Sequence, residues 1–186
     1  MSNAFWRYSL RVYRRPGVAN ACVALQDRLG VDVNMLLLAT WTAAHGTILA
    51  GRPLAAATSF SRTWSTNVVR PLRAVRRFLR APTLPPLPAV DRSDLQPKVA
   101  RNELQAERIE QTVLAAFMPA SHGRATGVEG ARLAAANLGR YFSHAGITPN
   151  TKDVKRIAVV LQAAFRDCEA TALRHELREL FGRRRR

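Results

Sequence analysis

Asp32-Val33-Asn34-Met35-Leu36-Leu37-Leu38-Ala39-Thr40-Trp41-Thr42-Ala43-Ala44 is the stretch on which the fold turns. An aspartate whose carboxylate can accept a backbone N–H opens it, and good helix formers carry it on. Its apolar residues fall on every side, and a helix that is hydrophobic all round belongs in the middle of a bundle. Val33 to Gly51 carries no charged residue, which approaches the length of a membrane span. Asn34, Thr40, Thr42, His45, Gly46 and Thr47 interrupt it, so a buried core helix is expected and integral membrane insertion is not.

Upstream, Ser2 or Asn3 can cap a first helix with Phe5, Trp6, Leu10 and Tyr13 on its apolar side. Arg15-Pro16-Gly17 marks a turn. Val18, Ala21, Cys22, Leu25 and Leu29 then keep helical spacing up to Gly30, a helix-closing glycine.

Downstream, Gly46 to Ala57 reads as a connection holding one helical turn. Trp64, Val68, Leu72, Val75 and Leu79 carry helical periodicity through Pro71, where a kink or boundary is expected. Half of the ten prolines lie between Ala81 and Pro97, which predicts an extended connector over 81–97. Helix resumes over Lys98 to Phe117, breaks over Pro119 to Gly127, and returns over Val128 to Ala145, closed by Gly146. A single helix from Thr151 to Phe181 is expected last, roughly 45 Å long. With no convincing strand and no solenoid repeat, the prediction is an all-α bundle of six to seven helices. Residues 1–118 form its N-terminal core, and 119–186 a C-terminal part packed on it as one domain.

Charge narrows the partners. The 186 residues hold 29 Lys plus Arg against 13 Asp plus Glu, a net +16, and no acid occurs between Val33 and Val90. Such a field draws polyanions. Arginine outnumbers lysine 26 to three, as codon bias in a high-GC genome produces, but codon bias does not explain the shortage of acids. Cys22 and Cys168, far apart, make neither a disulfide framework nor a C-x-x-C pair. Met1 to Tyr13 lacks the pattern of a signal peptide, so the cytoplasm is the expected address.

Arg70, Arg73, Arg76, Arg77 and Arg80 fall on one side of the Trp64–Leu79 helix, with Leu72, Val75, Phe78 and Leu79 opposite. A row of guanidiniums can meet successive phosphates, mostly without sequence preference. A competing use lies in the chain, because Glu103, Glu107 and Glu110 form an acidic stripe that antiparallel packing would bring against it. Arg183, Arg184, Arg185 and Arg186 make a basic end, read equally as a nucleic-acid arm or a solubilising tail. Asn34, Trp41 and His45 share a stripe of the third helix and could edge a pocket with Asp27 and Asp32. The two aspartates also have local work available, pairing with an arginine and capping that helix respectively. No nucleophile elbow, phosphate loop, dinucleotide fingerprint or zinc motif is present, and the four histidines are scattered. No catalytic residue, metal ligand or cofactor is predicted.

The order Phe5-Trp6-Arg7-Tyr8-Ser9-Leu10, Leu25-Gln26-Asp27-Arg28, Asp32-Val33-Asn34-Met35-Leu36-Leu37-Leu38, Val68-Val69-Arg70-Pro71-Leu72-Arg73 and Arg76-Arg77, followed by Glu103-Leu104, Ala106-Glu107 and Glu110-Gln111, resembles a family of short proteobacterial conserved hypothetical proteins of unknown function. The resemblance covers residues 5–117 and implies a bacterial cytoplasmic protein without an established activity. On residues alone, a non-enzymatic protein binding RNA or DNA through the arginine face ranks first. A helical adaptor for a protein partner, or a homo-oligomer, ranks second. An enzyme or small-ligand binder with a pocket near Asp27, Asn34 and Trp41 ranks third.

Overall fold

Every regular element among the described residues is helical. The structure, a computed structural model, describes residues 4–80, 89–119 and 123–182. Helices α1 (Ala4–Tyr13), α2 (Val18–Leu29) and α3 (Val33–Ala44) follow one another closely. Asp32 caps α3 by accepting the Asn34 N–H at 2.8 Å, and Gly30 closes α2 at a φ of 66°. Met35 through Ala39 are all buried, so α3 is the central rod that its all-round apolarity requires.

Around it run α4 (Gly51–Trp64), a π-helical turn (Ser65–Val69), α5 (Arg70–Arg80), α6 (Ala89–Ala116), α7 (Gly127–His144), α8 (Thr151–Ala164) and α9 (Ala170–Gly182). α7 lies along α3, α8 against α2, and α9 against α7 and α8, while α5 and α6 pair with one another. One buried cluster runs from Phe5 to Phe181. Asn137 of α7, fully buried, pins the α3–α4 loop: it accepts the Leu49 N–H at 2.9 Å and donates to the Thr47 carbonyl at 3.0 Å. No described helix is long and apolar enough to cross a membrane.

Several expectations are corrected. The stretch read as a connection over 46–57 already carries α4 from Gly51, because Pro53 falls in the first turn, where its missing N–H has no intrahelical partner to lose. The expected disturbance at Pro71 takes the form of the π turn, in which the Arg70 N–H reaches back five residues to the Ser65 carbonyl. Of the connector expected over 81–97, residues 81–88 lie outside the described residues, and 89–97 are helical. Pro97 sits inside α6 on its exposed side, where water can take the carbonyl that loses its partner.

The long final helix is two. It breaks after Phe165 (φ −124°, ψ 77°), and Gln162 Nε2 holds the corner by donating to the Cys168 carbonyl at 2.8 Å. Phe165 and Cys168 are buried there, so burying that corner and folding α9 back on α7 outweigh continuing the helix. The supposed apolar side of α5 is also redistributed: Leu79 is buried, but Val75 and Phe78 are 45% and 60% exposed. The capping role expected of Ser2 or Asn3 lies outside the described residues.

Candidate functional site

A cavity of about 390 Å³ opens where α1, α2, the start of α3, α5 and α6 converge. One wall is Trp6, Leu10 and Tyr13, half-buried on one side of α1. Helical spacing selected these residues as core; the structure gives that position to Phe5, Tyr8 and Val12 and turns the other three toward the cavity. The opposite wall is the arginine side of α5, and all five of Arg70, Arg73, Arg76, Arg77 and Arg80 line it. The exposed Arg70, Arg77 and Arg80 form the mouth, and the buried Asn34, Glu110 and Gln111 form the inner end.

The glutamate stripe meets the arginine stripe over part of its length. Arg73 Nε donates to Glu103 Oε1 and Arg73 Nη2 to Glu107 Oε1, each at 2.8 Å, while its Nη1 donates across to Gln26 Oε1 at 2.6 Å. Arg76 grips the second oxygen of Glu103. The register, with higher numbers on α5 meeting lower numbers on α6, makes the two helices antiparallel. Arg77 reaches only the exposed Asp27, at 3.3 Å. Arg70 and Arg80 make no ion pair with any described residue.

The protonation states follow from this packing. Burial opposes charge on Arg73, but Glu103 and Glu107 outweigh it and raise its pKa. Burial likewise opposes charge on Glu103, and here the hydrogen bonds from Arg76 and Arg73 win, holding its carboxyl below the ordinary value. Glu107 goes the other way. Burial leads, helped by the charges on Glu103 and Asp32, so its carboxyl is raised although it touches Arg73. Arg73 therefore counts chiefly as the partner of Glu103.

Glu110 does not join an arginine. It is fully buried, and its Oε2 accepts from Asn34 Nδ2 at 2.8 Å, while Asn34 Oδ1 accepts from Gln111 Nε2 at 2.7 Å. Burial, then the nearby Asp32 carboxylate, pushes the Glu110 carboxyl up to about 9, against a smaller pull from Asn34 and Ser61. That direction favours the neutral acid over the carboxylate. The Glu110 carboxyl also lies within hydrogen-bonding reach of Ser61 and Asp32, while the Gln111 Oε1 and the Ser9 hydroxyl are buried without a hydrogen-bond partner.

Of the pocket expected near Asp27, Asp32, Asn34, Trp41 and His45, the structure brings Asp32 and Asn34 to the cavity and places Asp27 beside it through Arg77. Trp41 and His45 are not among the residues lining it. Trp41 stacks on Phe5 at 5.1 Å, and His45 Nδ1 lies 2.8 Å from the Trp41 carbonyl, at the far end of α3. Arg183, Arg184, Arg185 and Arg186 lie outside the described residues. No His, Cys, Asp and Glu cluster able to hold a metal occurs among the described residues. Cys22 and Cys168 are buried, and burial pushes the Cys22 thiol up to about 12, far from a reactive thiolate.

Gln26, Ser9 and Gln111 were not singled out as site residues, since each is a neutral polar residue among charged and apolar neighbours that carry the stronger pattern. The signal that could have found them is that the amide of Gln111 directly follows Glu110, the member of the acidic stripe farthest from the arginines.

No curated protein and no solved structure matches the chain. Residues 4–114, which contain every side chain lining the cavity, match the family described as "Protein of unknown function (DUF2390)". Covering more than half of the 186 residues, that match makes the chain a member of the DUF2390 family.

Proposed function

We propose that this protein binds a small anionic molecule in the cavity between α1, α3, α5 and α6. The observation that carries the reading is the composition of the cavity. Arg70 and Arg80, which pair with no described carboxylate, and Arg77, which meets only the exposed Asp27, stand at its mouth, and the buried Asn34, Glu110 and Gln111 close its inner end. Its volume of about 390 Å³ suits a metabolite-sized ligand. Arg73 and Arg76 serve as fixed walls, their charge answered by Glu103 and Glu107. Arg70, Arg77 and Arg80 supply the attraction.

A polyanion on the outer surface of α5 is the second reading, and the net charge of +16 supports it. The ion pairs reduce its strength. Three exposed guanidiniums meet about three phosphates, a weak and salt-sensitive contact. A protein partner would find support in the exposed Val75 and Phe78 on the other side of the same helix.

Thermal unfolding with small carboxylates and phosphates, repeated on an Arg70→Ala/Arg77→Ala/Arg80→Ala variant, tests the first reading. A ligand at about a hundred times its Kd adds about 2.7 kcal/mol. For a chain of this size that raises the midpoint by roughly 5–10 °C. The shift should vanish in the variant. If no small anion shifts the midpoint while RNA or DNA is retained, salt-sensitively and through the same arginines, the cavity reading fails and the polyanion reading takes its place.

A further inference from the structure

We infer that the face made by α1 and the α8–α9 corner docks an acidic amphipathic helix of a partner protein, its apolar side in a groove and its acids against a row of arginines. The row starts on α1. Arg7, Arg11 and Arg14 fall at i, i+4 and i+7, all exposed, along one side over about 10 Å. The Arg14 N–H still donates to the Leu10 carbonyl at 3.2 Å, so the row keeps its line past Tyr13. These three and Arg15 line a first cleft, and Arg15 also lines a second, together with Arg166 and Arg174 from the α8–α9 side. None of the six arginines makes an ion pair with any described residue, and no acid lines either cleft. Asp167 and Glu169 are exposed at the same corner but line neither.

The second cleft has an apolar floor. Ala158, Val159 and Ala163 of α8, Ala170 and Leu173 of α9, and Pro16 of the α1–α2 turn form it. The turn is seated against α8, since a Cβ on Gly17 would meet Val159 at 3.5 Å. That contact is what brings Arg15 beside the groove. Alanines in the floor let another helix approach closely. Residues 158–163 span about 8 Å, room for two apolar side chains one turn apart. An apolar strip edged by guanidiniums is the complement of a helix with apolar residues at i and i+4 flanked by acids. Acids further along that helix would meet Arg14, Arg11 and Arg7. A nucleic-acid strand would find the cations but nothing for its bases, because no aromatic ring lines the groove. A second copy of this chain would bring +16 against +16, with Glu103 and Glu107 already spent on Arg73 and Arg76. The groove shares no lining residue with the cavity, so this inference stands apart from the anion reading.

Fluorescence anisotropy with labelled peptides of about 18 residues, roughly five helical turns, tests it. The probe is built from glutamate, alanine and leucine, with its leucines on one helical side. The controls are the same residues reordered so that the leucines run all round, polyglutamate of equal length, and duplex DNA. The amphipathic peptide should bind at least about tenfold more tightly than either control peptide, because neither control fills the groove. Arg15→Glu/Arg166→Glu/Arg174→Glu sets like charges face to face and should weaken it by about tenfold or more. Val159→Lys separates groove from charge, since Val159 is 38% exposed and can be replaced at the surface. A cation on the floor should weaken the amphipathic peptide by about fivefold or more and leave polyglutamate bound no more weakly. Circular dichroism reports the folding of each variant, and either one alone carries the conclusion. Equal binding of all three peptides, or an amphipathic peptide tightened by Val159→Lys, overturns the inference in favour of bare charge. DNA held more tightly than the peptide through the same three arginines overturns it in favour of nucleic acid. A dimer in light scattering that Val159→Lys abolishes gives the groove to a second copy, and no binding of any peptide also overturns the inference.

Discussion

Glu110→Gln makes a sharp test of the cavity's inner end, because it tracks one proton. In the folded chain burial and Asp32 raise this carboxyl to about 9, whereas its ordinary value is 4.5. Between those values the native state holds a proton that the unfolded state has released. Unfolding free energy therefore falls as pH rises, by about 1.4 kcal/mol per pH unit. From about pH 6 to about pH 8 the loss is about 2.7 kcal/mol. Below the ordinary value both states are protonated and the contribution is constant. Glutamine cannot ionise, yet it presents the same acceptor to Asn34 Nδ2 and a donor where the proton sat.

The assay is urea unfolding followed by tryptophan fluorescence at several pH values, for wild type and variant. The difference between the two cancels the titrating groups that Glu110 does not interact with, including Glu107, whose raised carboxyl acts in the same direction, and leaves Glu110 together with its neighbour Asp32. Wild type should lose stability toward alkaline pH while the variant stays nearly level, so that the two diverge by about 2–3 kcal/mol. Parallel curves would refute the reasoning, since they would mean that Glu110 is ionised in the native state.

Three further outcomes are expected. Glu103→Ala leaves Arg73 and Arg76 without their shared carboxylate and should cost about 2–4 kcal/mol in urea unfolding. Because the Glu103 carboxyl is held low, its contribution should be present above the ordinary value and disappear as pH falls through the lowered one, which acid titration followed by circular dichroism reads. Asn137→Leu strips the partner from the buried Leu49 N–H and unpins the loop before α4, costing about 2–4 kcal/mol by the same assay. Gly130→Ala brings a methyl to 2.4 Å from the Phe165 ring and 2.9 Å from the Ala125 carbonyl; it should lower the melting temperature, and Phe165→Leu in the same chain should restore part of the loss.

Much of the architecture could be read from residues because it is encoded locally. The Asp32 cap, the all-round apolarity of Val33 to Ala44 and the closing Gly30 each act within one or two turns, and each appears in the structure as expected. The antiparallel meeting of arginines and glutamates was also visible, since both rows keep helical spacing. What was not visible depends on distant partners. Nothing in Phe165-Arg166-Asp167-Cys168-Glu169 is a glycine or proline, and the helix ends there because Phe165 and Cys168 find burial against α7 and α9. Pro97 misled in the opposite sense, as a proline on a wet helical side is tolerated. The cavity assembles single polar residues from four helices, so no linear pattern announces it. Glu110 belongs to the acidic row by spacing, but its rotation toward α3 gives it to Asn34 and not to an arginine.

The π turn at Ser65–Val69 acts as a phase shifter in a screw. One residue more than a regular turn winds everything after it on by roughly 100°. That offset takes Arg73 and Arg76 to the glutamates of α6 and leaves Phe78 facing water. The wide turn also relieves Pro71, whose ring would otherwise press on the carbonyl four residues earlier. Deleting one residue from this segment would unwind the arginine row away from its acids without altering a single charge. Length at this point, more than composition, sets which side of α5 the cavity receives.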